Sequence, residues 1–466
     1  MPDYKSDLPT NYYFGGGDEA TAGTPLAVAL LLICILLILV LPRKYAYVPF
    51  LFAALLLPLH VVVLVGGLHF NATRILVLGG WLRLLLRGSF PGRLQTIDTI
   101  VLSSAVGSAV MYCLLWQDMG AVINRAGWLV TTMGSYFLIR FLVQDKEDIL
   151  RVIATFAVVV IVIAPLMWYE HSSSDNPFWV LGAPKMTDIR DGQIRAQGPF
   201  GHAIVAGTVG AVLVPLFVGL YFCRPRARWL AATAAIASIV MVLTSHSSTP
   251  VLTSAAVILG MAIWPLRKRM RFVRWGFVIF LVIAQLFMKA PIWFLMTRIS
   301  AVMGGSGWHR SMLMDNFFRH FTQWWLVGTR ANPDWGWSMW DVDNAYVGAG
   351  LSGGLVGFVL FIAVLVYAYK AIGKGRKLMH KSPRDQHLVW ALGVALFANT
   401  VAYFGIVYFD QAIVAWNTLL AMIAIVPVFA ASELARQSPP RVAPPDLEIS
   451  EGDWMNPSPD HVYGNF

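Results

Sequence analysis

The chain has 466 residues, of which 57% are hydrophobic and only 13% charged. A soluble domain carries about a quarter charged residues, so this composition excludes an ordinary soluble enzyme. The formal charge of +10 gathers in short connections beside apolar runs, which the positive-inside rule explains with no nucleic acid as partner.

Residues 1–24 are polar and lack the basic start of a signal peptide, so PLAVALLLICILLILVLP at 25–42 reads as a first span rather than a leader. Apolar runs of about 20 residues then recur, the length that carries a helix across a bilayer. They place spans near 25–41, 46–65, 74–87, 98–116, 125–142, 151–169, 200–222, 229–244, 251–265, 274–290, 345–369, 387–408 and 411–431. The third, RILVLGGWLRLLLRG, is short and carries Arg83, which fits a tilted or interfacial helix. The fold class is an all-α integral membrane protein, a polytopic bundle of about 12–13 transmembrane helices with a large periplasmic loop containing short helices. The membrane domain covers 25–435, with outer loops at 170–198 and 291–344, and the Pro-rich, acidic stretch 436–466 reads as a disordered cytoplasmic tail.

Charge fixes the orientation. Arg43 and Lys44, Lys146 and Arg151, Arg224 to Arg228, Arg267 to Arg274, and Lys370 to Arg384 lie in alternate connections, whereas loops 66–73, 245–250 and 409–411 hold no Lys or Arg. The first set is expected in the cytoplasm. Cys34, Cys113 and Cys223 are too scattered for a disulfide framework or a metal cluster.

The two long outer loops carry arginines despite this rule: Lys185, Arg190 and Arg195 in the first, and Arg298, Arg310, Arg319 and Arg330 in the second. Long loops translocate regardless of charge, so a single arginine there needs no function. Arg195 in GQIRAQGPFGHAIVAG and Arg310 in GSGWHRSMLM stand at the membrane mouth, where a guanidinium fork matches paired phosphate oxygens. Asp341, Asp343 and Asn344 in WDVDNAYVGAG immediately precede a span. Such a carboxylate is either a helix cap or a general base at the bilayer surface. Trp308, Trp324, Trp325, Trp335, Trp337 and Trp340 are either an interfacial belt or platforms for sugar faces. Gly350, Gly353, Gly354 and Gly357 form overlapping GxxxG pairs suited to close helix packing.

In order, IRAQGPFGHAIVAG (194–207), LTSHSSTP (243–250), GWHRSMLMDNFFRHFTQWWLVGT (307–329), DNAYV (343–347) and GLSGGLVGF (350–358) resemble the O-antigen ligase and Wzy-type O-antigen polymerase superfamily, over residues 140–370. The resemblance implies an enzyme of the bacterial inner membrane with a periplasmic active face. It would move a glycan from an undecaprenyl-pyrophosphate carrier to a hydroxyl of a glycan or lipid acceptor, with membrane lipids around it and no metal or other cofactor. Arg195 and Arg310 then resemble the family's phosphate-binding and outer-loop arginines, and Asp343 takes the position of its usual catalytic His. Where the family's Ser/Thr-rich turn has Arg or Lys, this chain has His246 and Ser248. Arg190, Arg298, His246, Asn344 and Trp308 complete the expected substrate contacts. A transporter or flippase of lipid-linked glycans is the alternative, and a scaffold for polysaccharide assembly a third. Transporters place ionisable groups mid-span, whereas here the polar residues gather in the outer loops.

Overall fold

The computed structural model describes residues 23–437 except 60, 66–67, 89, 91–93, 191, 299–305, 380–381 and 410. The polar start and the tail beyond 437 lie outside the described residues, so their expected disorder and sidedness are not addressed. The described residues are 79% helical. It begins with α1 (Pro25–Val40) and α2 (Arg43–Leu56), then the hairpin β1 (Val62–Val65) and β2 (Leu68–Asn71). Next come α3 (Ala72–Arg87), α4 (Thr96–Trp116), α5 (Met119–Leu142) and α6 (Lys146–Ser173), and a second hairpin, β3 (Asp188–Arg190) and β4 (Gln193–Arg195). The rest is α7 (Ala203–Cys223), α8 (Arg228–Thr244), α9 (Ser248–Ala262), α10 (Met270–Phe287), α11 (Gly307–Arg319), α12 (Phe321–Trp324), α13 (Ala345–Leu378), α14 (Pro383–Ala402) and α15 (Gln411–Gln437).

Each of the thirteen apolar runs forms a helix, and among the described residues seven helices are long and apolar enough to cross a membrane. The second run gives a helix shorter than its expected span. Its helix stops at Leu57, directly before Pro58, because a residue preceding proline is pushed out of the helical region. The expected span 46–65 is therefore a 14-residue helix followed by a strand. Leu32, Leu36, Val106, Val110, Ile236 and Phe277 are exposed on the outside. That inversion of the soluble pattern fits a membrane protein, since a water-soluble surface does not carry apolar belts of this size.

The third run is a full 16-residue helix, about 24 Å long. Its Arg83 is buried, and Nη1 donates to the carbonyls of Ile38 and Leu39, both at 3.0 Å. These are acceptors that the end of α1 leaves without helical partners. The arginine is a cap for the neighbouring helix rather than a sign of tilt. The basic connections meet at the same end of the bundle. Arg43 pairs with Asp148 at 2.8 Å, Lys146 with Asp385, and Arg224 with Glu147 at 3.6 Å. Arg376 donates to the Arg267 carbonyl at 2.7 Å.

At the centre, α7 packs between α6, α8, α9 and α14. Gly210 permits the approach of α8: a Cβ there would stand 2.9 Å from the Ser238 carbonyl oxygen. By contrast α10 buries none of its residues. The long loop before α13 has its own core of Leu313, Phe317, Trp324, Trp335 and Met339, laid against Val347 and Leu351 of α13. Trp324 stacks on Phe317 with ring centroids 4.0 Å apart, and its Nε1 donates to the Phe317 carbonyl. Trp324 and Trp335 are thus core residues, not sugar platforms. Trp308, Trp325, Trp337 and Trp340 remain exposed.

Inside α13 the backbone breaks at Gly354, with φ 60° and ψ −162°. The segment after α12 fills the break: the Leu355 N–H donates to the Trp325 carbonyl at 2.8 Å, and the Thr329 N–H to the Leu351 carbonyl at 2.9 Å. Gly353 and Gly357 face Ser108 of α4, as close helix packing requires, but Gly354 is there for its backbone geometry.

Candidate functional site

The site is assembled at the end of the bundle opposite the basic connections, beginning with the stretch between β4 and α7. Glu170, fully buried at the end of α6, accepts from the backbone N–H groups of Gln197 at 3.0 Å and Gly198 at 2.7 Å and from the Thr187 hydroxyl at 3.0 Å. The Ala196 N–H donates to the Thr244 carbonyl, Asn176 Nδ2 to the Gly198 carbonyl and Gln411 Nε2 to the Pro199 carbonyl. This stretch is held by α6, α8, α15 and its own loop, so the Arg195 side chain starts from a fixed backbone. Its Nη1 pairs with Asp188 across the hairpin at 3.0 Å, and its Nη2 donates to Ser247 Oγ at 2.7 Å.

Ser247 belongs to the Ser/Thr-rich turn between α8 and α9, and that turn leads on to the second arginine. Thr249 Oγ1 donates to the Gly405 carbonyl at 3.1 Å, and Arg310 Nη2 donates to the same oxygen at 3.2 Å. A Cβ on Gly405 would stand 2.6 Å from Thr249 Oγ1 and 3.2 Å from Arg310 Cζ, so the contact needs glycine. Arg310, in the first turns of α11, donates from Nε to Asp343 Oδ2 at 2.7 Å. Two sets of polar contacts, Arg195–Ser247 and Thr249–Gly405–Arg310–Asp343, are thus joined by the backbone of residues 247–249.

Asp343 is not the cap of α13. That role belongs to Asn344, whose Oδ1 accepts from the N–H groups of Tyr346 and Val347. Asn344 is fully buried, so it is spoken for structurally. Asp343 Oδ1 is buried with no hydrogen-bond partner among the described residues, and His309 Nε2 lies 3.8 Å from it. Burial raises the Asp343 carboxyl above the usual carboxylate range, against the pull of Arg310 and His309. A carboxylate held this way has one oxygen fixed and one available as a proton acceptor.

His246 has φ 40° and stacks on His171, ring centroids 4.8 Å apart. Burial, His171 and Arg195 all hold its imidazole below the ordinary range. It is neutral near pH 7 and does not replace the missing Lys or Arg of the turn. Arg190, at the hairpin, and Arg298 are exposed, and Trp308 is half exposed. The hydrogen bonds of Arg310 and Asp343 described above involve none of these three.

Five participants were not singled out in the sequence: Glu170, Ser247, Thr249, His309 and Gly405. His202 also lies within the field of the cluster. Burial and then Arg195 lower its pKa, while Asp188 and Asp341 act the other way. His309 adjoins Arg310 in GWHRSM, and a carboxylate closing an apolar helix (WYEHSS) is a signal for Glu170. Gly405 has no local signal. No family model matches the chain, and no curated protein matches it.

Proposed function

We propose that this chain is an integral membrane glycosyltransferase of the bacterial inner membrane, acting at its periplasmic face. It transfers a glycan from an undecaprenyl-pyrophosphate carrier to an acceptor hydroxyl. The observation that carries the reading is the direct Arg310–Asp343 contact joined through Gly405 and the 247–249 turn to Arg195. Two guanidinium groups and one carboxylate with a buried unpartnered oxygen are the groups this reaction needs. The basic loops at the opposite end support the sidedness.

The acceptor hydroxyl loses its proton to Asp343, and its oxygen bonds to the anomeric carbon. The bond from that carbon to the carrier pyrophosphate breaks, and the electron pair leaves with the lipid. Arg195 and Arg310 stabilise the negative charge that develops there, in a site of low water content where such charges act strongly. Attack opposite the leaving group inverts the anomeric carbon.

The broken helix at Gly354 favours the second reading, a transporter or flippase, because transporters use interrupted helices at their substrate sites. One reconstitution separates the two. Liposomes holding the purified protein and an undecaprenyl-pyrophosphate-linked oligosaccharide are supplied with a glycan acceptor. Release of undecaprenyl pyrophosphate together with extended acceptor, lost in Arg195→Ala and Arg310→Ala, supports transfer. Movement of the intact donor between leaflets without release replaces transfer by transport.

A further inference from the structure

We propose that the cavity between α4, α5, α13 and α15 is a binding site for a phosphate-bearing lipid, with its headgroup held by Arg125 and Arg330. The cavity has a volume of about 1040 Å³. It is larger than the roughly 300–1,000 Å³ usual for small-molecule sites. Its lining includes neither Arg195 nor Arg310 nor Asp343, but it does include Val342 and Ala345 on either side of Asp343 and Asn344. It is therefore a neighbour of the transfer cluster, not part of it.

The polarity of the cavity runs from one end to the other. On α4 the lining extends from Val101 to Trp116, fifteen steps of about 1.5 Å, or roughly 22 Å along the helix. Most of a single leaflet's depth and more fits within that length, given a hydrocarbon core of about 30 Å. Around Val101, Ala105, Val364 and Leu420 the walls are mainly apolar, with Ser104 and Asn417 among them. Both arginines sit at the Trp116 end. Arg330 Cζ lies over the Trp116 ring, 4.7 Å from its centroid. Arg125 Cζ lies 3.5 Å from the Tyr112 ring centroid and 5.3 Å from that of Trp128. The rings hold both guanidinium groups close by cation–π attraction, and Arg125 Nε still lacks a partner.

Tyr112 also supplies a side-chain hydrogen bond to Arg125, which leaves part of that guanidinium still to be satisfied. Arg125 Nε is buried without a hydrogen-bond partner, and neither arginine has an ion-pair partner among the described residues. Asp118 lines the same end, but its Oδ1 caps α5 by accepting from the Gly120 N–H at 2.7 Å. An anion would satisfy the buried Arg125 Nε and face the exposed Arg330 at the same end of the cavity. A phosphate presents oxygens to both at once, and an attached hydrocarbon chain accounts for the apolar depth.

The assignment rests on the membrane reading above but not on the transfer reaction, so it is tested by binding without turnover. The full chain, purified in a neutral maltoside detergent, is titrated with phosphatidic acid carrying brominated acyl chains. Bromine quenches tryptophans that it touches, and Trp116, Trp128, Trp340 and Trp416 line the cavity. Saturable quenching is expected, displaced by unbrominated phosphatidic acid, with Arg125→Gln and Arg330→Gln each raising the midpoint about tenfold or more. Arg330 is exposed, so its variant tests the claim even if Arg125→Gln fails to fold. Unchanged midpoints in Arg330→Gln would overturn the proposal. So would equal quenching by brominated diacylglycerol, which makes the cavity merely apolar, or full competition by inorganic phosphate, which makes it an anion site with no lipid.

Discussion

Glu170→Gln is the sharpest probe of how the Arg195 segment is held. Oε1 accepts from the Gln197 N–H and the Thr187 hydroxyl, and Oε2 from the Gly198 N–H, all within a fully buried pocket. The amide oxygen of glutamine can replace only one carboxylate oxygen. At Oε1 it keeps two donors without charge assistance, and the amide NH2 then faces the Gly198 N–H. One buried donor is left without an acceptor, at about 1–3 kcal/mol, and two charge-assisted bonds become neutral, at about 1 kcal/mol each. Burying a neutral group in place of a carboxylate offsets part of this, leaving a net cost of about 2–4 kcal/mol. Amide hydrogen exchange reads this locally: exchange at Thr187, Gln197 and Gly198 should speed up by roughly 30- to 1,000-fold. Exchange within α7 should stay as it is, and the KM for the lipid-linked donor should rise with the loosening of Arg195. Unchanged exchange at Gln197 and Gly198 would refute Glu170 as the clamp.

Three further outcomes follow from the geometry. As a base, Asp343 works only when ionised, so turnover falls as pH drops through its pKa; because burial raises that pKa, the acid limb of kcat/KM lies above the usual carboxylate range. Arg310→Gln removes a charge that holds this pKa down, and the limb moves to higher pH; a stationary limb in a variant that still turns over means that Asp343 is not the titrating base. Asn344→Ala strips the cap of α13 and lowers stability by about 1–2 kcal/mol, with faster amide exchange at Tyr346 and Val347; Asp343→Asn costs stability through the Arg310 pair but leaves exchange at those two amides as it is, and the opposite pattern would return the cap to Asp343. Gly354→Ala places a Cβ 2.6 Å from the Leu326 carbonyl oxygen at a φ/ψ pair open almost only to glycine, so a loss of about 3 kcal/mol or more is expected in detergent melting. A silent Gly354→Ala would mean that the break is not built as described.

Hydropathy located thirteen of the fifteen helices named above because an apolar run long enough to cross a bilayer has few other folds open to it. It failed where two signals look alike. Val62–Val65 is as apolar as a helix, and only Pro58 separates it from α2. The candidate site was legible in its charges but not in its connections. Arg195, Arg310 and Asp343 stand out in outer loops, yet Arg310 and Asp343 are 33 residues apart, and nothing local reports that they touch. Asp343 and Asn344 are neighbours with similar capping ability, and only tertiary contacts assign the cap to one and the ion pair to the other. Gly405 joins two elements solely by lacking a side chain, a role invisible in a single sequence.

Single-turnover release of undecaprenyl pyrophosphate tests the central claim most directly. Donor is bound first, acceptor is then added, and wild type is compared with Asp343→Asn. The account predicts equal donor affinity and release at least about 100-fold slower in the variant, the loss expected when a general base is removed. Release at the wild-type rate from Asp343→Asn would contradict it.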